Sequence, residues 1–130
     1  MKPTLWTLIV VGLAGSLGAI SRYLVGHYAA EWFGKPRFPV GTLIINITAC
    51  FLMGLFVALA DRHVRSMPEW AKLAVLTGFI GTYSTFSTYM FEVEGNLRSG
   101  HGVLAVTYLL VSIVAGLMAV YAGGVVARGW

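Results

Sequence analysis

Four long stretches of the chain contain no charged side chain, and they dominate its pattern of hydrophobic and polar positions. Asp, Glu, Lys and Arg are all missing from residues 3–21, 38–60, 73–91 and 102–127. Each stretch is close to the roughly 20 residues that a membrane-spanning helix needs. The pattern predicts an all-α membrane protein in which short loops join the helices within one domain, residues 1–130. The four transmembrane helices are expected over about 4–28, 41–60, from 70 onward and 103–127.

The third stretch differs from the others in its polar content. Residues 78–89 hold five Ser or Thr hydroxyls, two Tyr hydroxyls and two glycines, with no charge. Because polar groups cannot stay unpaired in lipid, such a segment is typical of an interrupted helix that lines a route for a small polar species. We therefore expect the third helix to break after Gly81, where freed carbonyls can hold a small cation. We expect Glu92 and Glu94 to mark its exit.

The composition narrows the class of protein further. Hydrophobic residues make up 58% of the chain and charged residues 11%, and mean hydropathy is +0.79, which excludes an ordinary soluble domain. The net charge of +4 comes from scattered basic residues, so no nucleic-acid partner is predicted. His63 and His101 have no second ligand at metal-binding spacing, and the single Cys50 excludes an intrachain disulfide. With no catalytic triad, paired carboxylates or phosphate loop, the sequence does not predict an enzyme.

The basic residues are almost evenly shared between the two ends of the predicted bundle. A clear excess on one side normally fixes the orientation of a membrane protein, and here the count is five against four. We predict that the chain inserts both ways up and pairs with an oppositely oriented copy, an inverted arrangement that many transporters build from internal repeats. Alternatively, subtler signals fix one orientation. One side holds Lys2, Arg62, Arg65, Lys72 and Arg128, and the other holds Arg22, Lys35, Arg37 and Arg98.

Two polar side chains within the apolar stretches each have two interpretations. Arg22 is expected near the end of the first helix, where it either snorkels to the headgroups or faces a wet cavity or a partner. Asn46 shares a helix face with Thr42, one turn away. Its amide is either interhelical glue or an anion donor, and spacing alone favours glue.

Aromatic and hydroxyl patterns suggest how an anion is solvated. Phe86 and Tyr89 are three residues apart and point the same way, and positive ring edges can replace lost water around a small hard anion. On the fourth helix, Tyr108, Ser112 and Gly116 recur every four residues. They form either a packing seam or one wall of a pore.

Three sequence fragments, together with the four-helix size, resemble the Fluc (CrcB) family of fluoride channels. Residues 18–23 read GAISRY, similar to the family's G-A-x-x-R-[YW]. Residues 39–46 read PVGTLIIN, similar to its P-x-G-T-L-x-x-N, and residues 78–89 read GFIGTYSTFSTY, similar to its G-x-x-G-G-x-[ST]-T-F-S-T-F. Each fragment alone is weak, but their order and spacing together are specific.

The resemblance implies a fluoride-selective channel of the cell (inner) membrane that exports cytoplasmic fluoride passively. It implies a dual-topology homodimer of antiparallel subunits with two pores. It also implies a structural sodium ion held by main-chain oxygens of Gly81 and Ser84, and charged vestibule positions at Arg22 and Glu92. The implied fluoride pathway is lined by Asn46, Phe86, Ser87, Thr88, Tyr89, Thr42, Tyr108 and Ser112.

Two positions depart from the family's pattern, and two other functions stay open. Thr82 replaces the usual second Gly, so we expect a break less free to adopt unusual dihedral angles. Tyr89 replaces the usual second Phe, and its hydroxyl either donates to the anion or narrows the path. The alternative functions are a proton-coupled small transporter, in which Glu92 or Arg22 titrates, and a non-conducting structural membrane protein.

Overall fold

The computed structural model describes residues 3–34, 36–62 and 67–129, without the side chain of Arg62, and within these ranges it is helical with no strand. Three helices are long and apolar enough to cross a membrane: α1 (Leu5–Phe33), α2 (Val40–Arg62) and α6 (Gly102–Gly129). The protein is therefore a multi-pass membrane protein. Lys2, Lys35, His63 and Arg65 lie outside the described residues, so the loop-charge balance stays a prediction.

The first helix is longer than the sequence predicts. Thr4 caps its start, because its side chain accepts a hydrogen bond from the Thr7 amide at 3.2 Å. It continues past the expected end at residue 28 because the first helix breaker is Gly34, which has a φ of 70°. Arg22 consequently lies eleven residues before the end at Phe33. The expectation that Arg22 lies near the helix end is wrong.

The remaining residues form an interrupted series of short helices. In chain order these are α3 (Glu69–Leu73), a π-helix (Ala74–Ile80), the single turn α4 (Gly81–Tyr83) and α5 (Phe86–Arg98). The predicted interruption of the third hydrophobic stretch is present. Since α5 continues to Arg98, stabilised by an ion pair with Glu94 one turn earlier, Glu92 and Glu94 lie inside the helix and do not mark its exit.

The interruption falls three residues later than predicted. Gly81 has helical dihedral angles, with φ −63° and ψ −32°. The chain turns extended only at Ser84 (φ −73°, ψ 160°) and Thr85 (φ −148°, ψ 112°). Thr82 lies in the helical turn before Ser84, so the break does not need a second Gly at position 82. The expectation that Thr82 restricts the dihedral angles of the break is therefore wrong.

Close backbone approaches hold the helices together. A Cβ atom on Gly54 of α2 would lie 2.0 Å from the Val120 carbonyl oxygen of α6. A Cβ atom on Gly18 of α1 would lie 2.3 Å from the Phe79 carbonyl oxygen of the π-helix. Small residues at such contacts are typical of membrane helices, where packing replaces the hydrophobic effect as the driving force.

Two buried clusters lie on either side of the interruption. The first joins α2 to the segment before the break, and the second joins α5 to α6 after it. The break is therefore the seam between two packed units. The clusters consist of Ile45, Ala49, Ile80 and Tyr83, and of Tyr89, Val93, Ala105 and Tyr108.

Candidate ion pathway

Asn46 pairs with the broken backbone from a neighbouring helix. Its Nδ2 donates to the Thr85 carbonyl at 3.1 Å, and its Oδ1 accepts from the Thr85 amide at 2.9 Å. The side chain thus supplies the two hydrogen bonds that Thr85 loses by leaving the helix, as non-helical backbone at membrane depth requires. Asn46 is interhelical glue in this structure. Its second N–H remains for another acceptor, because an amide nitrogen carries two donors.

The main-chain oxygens of Gly81 and Ser84 lie at the same interruption. The Ser84 amide donates to Ile80 at 3.1 Å and the Thr85 amide to Asn46. The two amides that would reach the Gly81 carbonyl in a continuous helix are therefore engaged elsewhere. The Ser84 carbonyl accepts a hydrogen bond from Arg22 Nη1 at 3.3 Å. Arg22 therefore faces the break and does not snorkel from a helix end.

These two oxygens fit a hard monovalent cation as part of a site. Carbonyl oxygens are the ligands that replace water around alkali ions, and Gly81 is exposed at the surface of the chain. Arg22 uses one lone pair of the Ser84 oxygen, which leaves the second available. Two oxygens alone are too few for such an ion, so a complete site would need further oxygen ligands.

The two aromatic side chains of the predicted pathway are neighbours with very different exposure. Phe86 and Tyr89 have ring centroids 6.1 Å apart, and the rings are tilted by 60°. Phe86 is 73% exposed, whereas Tyr89 is buried. The Tyr89 hydroxyl donates to the Leu109 carbonyl of α6 at 3.0 Å. That hydroxyl is engaged in anchoring α5 to α6, which leaves the ring edge as the group that Tyr89 can present.

The hydroxyls next to Phe86 have separate surroundings. Thr85 caps α5 by accepting from the Thr88 amide at 3.3 Å, and its Oγ1 donates to Thr88 Oγ1 at 2.9 Å. Ser87 and Thr88 are both exposed, as is Phe86. The structure therefore places the two predicted hydroxyls at a surface of the single chain and not in its interior.

A cavity of about 260 Å³ brings several predicted residues together at the interruption. Within it, Ser112 contributes a buried hydroxyl that has no hydrogen-bond partner among the described residues. A buried polar group without a partner costs free energy, and such a group in a native site calls for an explanation. None of the eight lining residues is charged: Asn46, Cys50, Ser84, Thr85, Phe86, Tyr89, Ser112 and Ile113.

A second polar cluster joins two residues predicted in the fluoride pathway, Thr42 and Tyr108, to Glu92, which is predicted in the vestibule. Glu92 accepts from Thr42 Oγ1 at 2.7 Å on one carboxylate oxygen and from the Tyr108 hydroxyl at 2.8 Å on the other. The Tyr108 ring meets the buried Tyr89 ring edge-on, with centroids 5.0 Å apart. The Glu92 cluster therefore continues, through two aromatic rings, to the cavity at the break.

The sequence does not single out every residue of this site. Cys50 lines the cavity one turn after Asn46, and that spacing is the only signal that could have indicated it. Tyr83 contacts Thr48 across two helices, with their oxygens 2.8 Å apart. No local pattern reveals such a pair, because the two residues are 35 positions apart.

Comparison with known proteins gives one consistent result. A family profile described as CrcB-like protein, Camphor Resistance (CrcB), matches residues 9–124. A protein of Acidobacterium capsulatum is 46% identical over 116 residues, covering 89% of this chain and 91% of that relative. A relative from Solibacter usitatus is 34% identical, covering 92% of this chain and 97% of that relative. A relative from Chlorobium phaeobacteroides is 39% identical, covering 95% of this chain and 94% of that relative. All three are named fluoride-specific ion channel FluC. The chain belongs to the CrcB-like family.

Proposed function

We propose that this protein is a fluoride-specific ion channel that carries fluoride passively out of the cell. The observation that carries the proposal is the uncharged cavity at the helix break, whose lining residue Ser112 has a buried hydroxyl with no partner in the described part of the chain. Relatives that share up to 46% of their residues with this chain are named fluoride-specific ion channels. The proposal is therefore for a channel and not an enzyme.

The chemistry of the cavity suits a small, strongly hydrated anion. Fluoride leaves water only where dipoles with their positive ends inward replace it. The Ser112 hydroxyl, the second Asn46 N–H and the ring edges of Phe86 and Tyr89 are such dipoles. Because a fixed cation in the cavity would trap the anion, uncharged donors favour passage over binding.

A second, antiparallel copy completes this pathway. Phe86, Ser87, Thr88 and Gly81 are exposed in the single chain, and exposed backbone and hydroxyl groups at membrane depth are unstable in lipid. In the proposed homodimer the segments from Glu69 to Arg98 form a fourth, interrupted crossing. Its exposed face meets the same face of the partner and encloses the fluoride path on both sides.

Sodium is proposed to join the two copies at the centre. The Gly81 and Ser84 main-chain oxygens of each copy would hold the ion. When bound, it would supply a positive charge that compensates the partial negative charges of these carbonyl oxygens. The protein's own part is to hold Ser84 and Thr85 extended, which Asn46 and Arg22 do by hydrogen bonding.

Fluoride efflux from proteoliposomes, followed with a fluoride electrode, tests the proposal. We expect rapid efflux of fluoride and none of chloride, with protein-free liposomes as the control. A flux that ceases without a proton gradient would instead identify the proton-coupled transporter. Absence of any flux from correctly assembled protein would identify a structural membrane protein.

A further inference from the structure

A hydroxyl pair anchors the turn before the break. Tyr83, the last residue of α4, is buried, and its hydroxyl lies 2.8 Å from Thr48 Oγ1 in α2. Thr48 Oγ1 also lies 2.7 Å from the Ile44 carbonyl and 3.0 Å from the Ile45 carbonyl, to which it donates. Because a hydroxyl has one proton, Thr48 uses its own on its helix. Tyr83 is therefore the donor of the bond between the two helices.

The turn that carries Tyr83 is the last turn of a helical run that begins at Glu69 and continues through the π-helix to Tyr83. The last turn of a helix lacks following backbone partners and frays readily, so side-chain contacts hold it most effectively there. Thr82 Oγ1 lies 2.8 Å from the Gly15 carbonyl of α1 and also 2.8 Å from the Gly78 carbonyl of its own segment, so it shares its one proton between the two and ties the turn to α1. Tyr83 ties the same turn to α2. The two ties come from consecutive residues and fix the rotation of the turn about its axis.

The direction of the two proposed sodium ligands depends on that rotation. Gly81 opens the turn and Ser84 follows it directly. Downstream of Ser84, the Thr85 backbone is fixed by Asn46 at 2.9 Å and 3.1 Å. The Ser84 peptide therefore spans two anchors, both on α2. Loosening the upstream anchor leaves the Ser84 carbonyl fixed only by Arg22 and by the downstream anchor at Asn46, so its direction is less tightly set.

We infer that Tyr83 is a positioning residue that, through its hydrogen bond to Thr48, sets the sodium affinity of the break. The ring itself is held by packing, because it stacks on Phe79 with centroids 6.0 Å apart and belongs to the core cluster with Ile45 and Ile80. Only the hydroxyl adds the tie to α2. The inference rests on the proposed function, since it concerns the same sodium site.

The test measures sodium dependence in the purified, detergent-solubilised protein and in proteoliposomes. Tyr83→Phe keeps the ring and removes the donor, and Thr48→Val removes the acceptor at nearly constant volume. Tyr121→Phe is the matched control, because Tyr121 is 71% exposed on α6. The readouts are the sodium concentrations that half-saturate sodium binding, followed by thermal stabilisation, and fluoride efflux, together with the melting temperature without sodium.

We expect Tyr83→Phe to raise both half-saturating concentrations by roughly threefold to tenfold, the range set by one neutral hydrogen bond. The melting temperature without sodium should hardly change, whereas the stabilisation at a given sodium concentration should become smaller. Thr48→Val should shift sodium dependence in the same direction, and the double variant should shift it no further than the larger single effect, as coupled partners do. Tyr121→Phe should match the wild type.

Two results overturn the inference. One is a melting temperature lowered equally at every sodium concentration with unchanged half-saturation, since Tyr83 then only stabilises the fold. The other is an additive double variant, since the two hydroxyls then act separately. If Tyr83→Phe does not fold, Thr48→Val alone decides by the same criteria. A wild-type protein that conducts no fluoride overturns the proposed function instead, and the two failures are distinguishable.

Discussion

Removal of the Ser112 hydroxyl should affect stability and fluoride conduction in opposite directions. The hydroxyl is buried and has no hydrogen-bond partner within the described ranges, and an unsatisfied hydroxyl costs about 1–3 kcal/mol. Ser112→Ala should therefore leave the melting temperature unchanged or raise it. If the hydroxyl donates to fluoride in transit, efflux should fall by roughly tenfold to a hundredfold, the range for a hydrogen bond to a charged group.

Ser16→Ala is the matched control for this substitution. Ser16 lies on the exposed part of α1 and donates to the Gly12 carbonyl of its own helix at 3.0 Å. It should change neither efflux nor, by more than a few tenths of a kcal/mol, stability. Unchanged efflux in Ser112→Ala, measured in the same liposomes, would remove Ser112 from the pathway.

Phe86 and Tyr89 separate solvation by a ring edge from solvation by a hydroxyl. Phe86→Ile keeps bulk and apolarity but removes the ring quadrupole, so we expect efflux to stop while the dimer assembles. Tyr89→Phe keeps the ring and loses a hydroxyl that already donates to Leu109, so we expect efflux to continue. Loss of efflux in Tyr89→Phe, with Phe86→Ile conducting normally, would assign fluoride solvation to the hydroxyl.

At the residue scale, sequence identifies which side chains are unusual but not what they contact. An amide at position 46 inside an apolar run is visible at once, and packing glue is the interpretation that its spacing favours. Its partner is the Thr85 backbone, 39 positions away, and only the path of the third stretch brings them together. Glu92 shows the same limit, because its two hydroxyl donors come from different helices.

The contact between α2 and α6 offers a prediction at the scale of elements. A Cβ atom on Gly54 would lie 2.0 Å from the Val120 carbonyl, so Gly54→Ala must push two backbones apart. We expect the free energy of unfolding to fall by about 1–3 kcal/mol, as for overpacked cores, seen as a lower melting temperature in detergent.

Gly12→Ala is the control, since a Cβ atom at Gly12 points into open space and Ala favours helix over Gly by about 0.5–1 kcal/mol. Equal stability of both variants would contradict the close approach.

Charge-free runs predict the centres of the long helices well and their ends poorly. The first charge-free run ends before Arg22, but α1 continues through charged and polar residues to Phe33. Helices can extend beyond the apolar layer of the membrane, so the end of a charge-free run does not mark the end of a helix. The break shows a different limit. Gly81 is the residue that composition singles out, yet it stays helical. The chain opens at Ser84 and Thr85, where Asn46 offers the backbone new partners, and this depends on tertiary contact.

For the whole molecule, the structure changes the charge argument for dual topology. Arg22 lies inside α1 and contacts the Ser84 carbonyl, so it does not act as a loop charge. Without it, the sequence count becomes five against three. The bias is still small, but the stronger argument for an inverted partner is now the exposed face around Phe86, which needs a complementary surface at the same membrane depth.

Variants with opposite charge bias test whether two orientations are needed. Arg62→Gln with Arg65→Gln removes basic residues from one side, and Arg37→Gln with Arg98→Gln removes them from the other. Because Lys and Arg favour the cytoplasmic side, each pair should drive the chain into a single, opposite orientation. A reporter at the C-terminus should appear on both faces for the wild type and on one face for each variant.

Each variant alone should lack fluoride efflux, since an antiparallel partner is missing, and co-expression of the two should restore it. Efflux from one variant expressed alone, with its reporter on one face only, would show that parallel copies suffice.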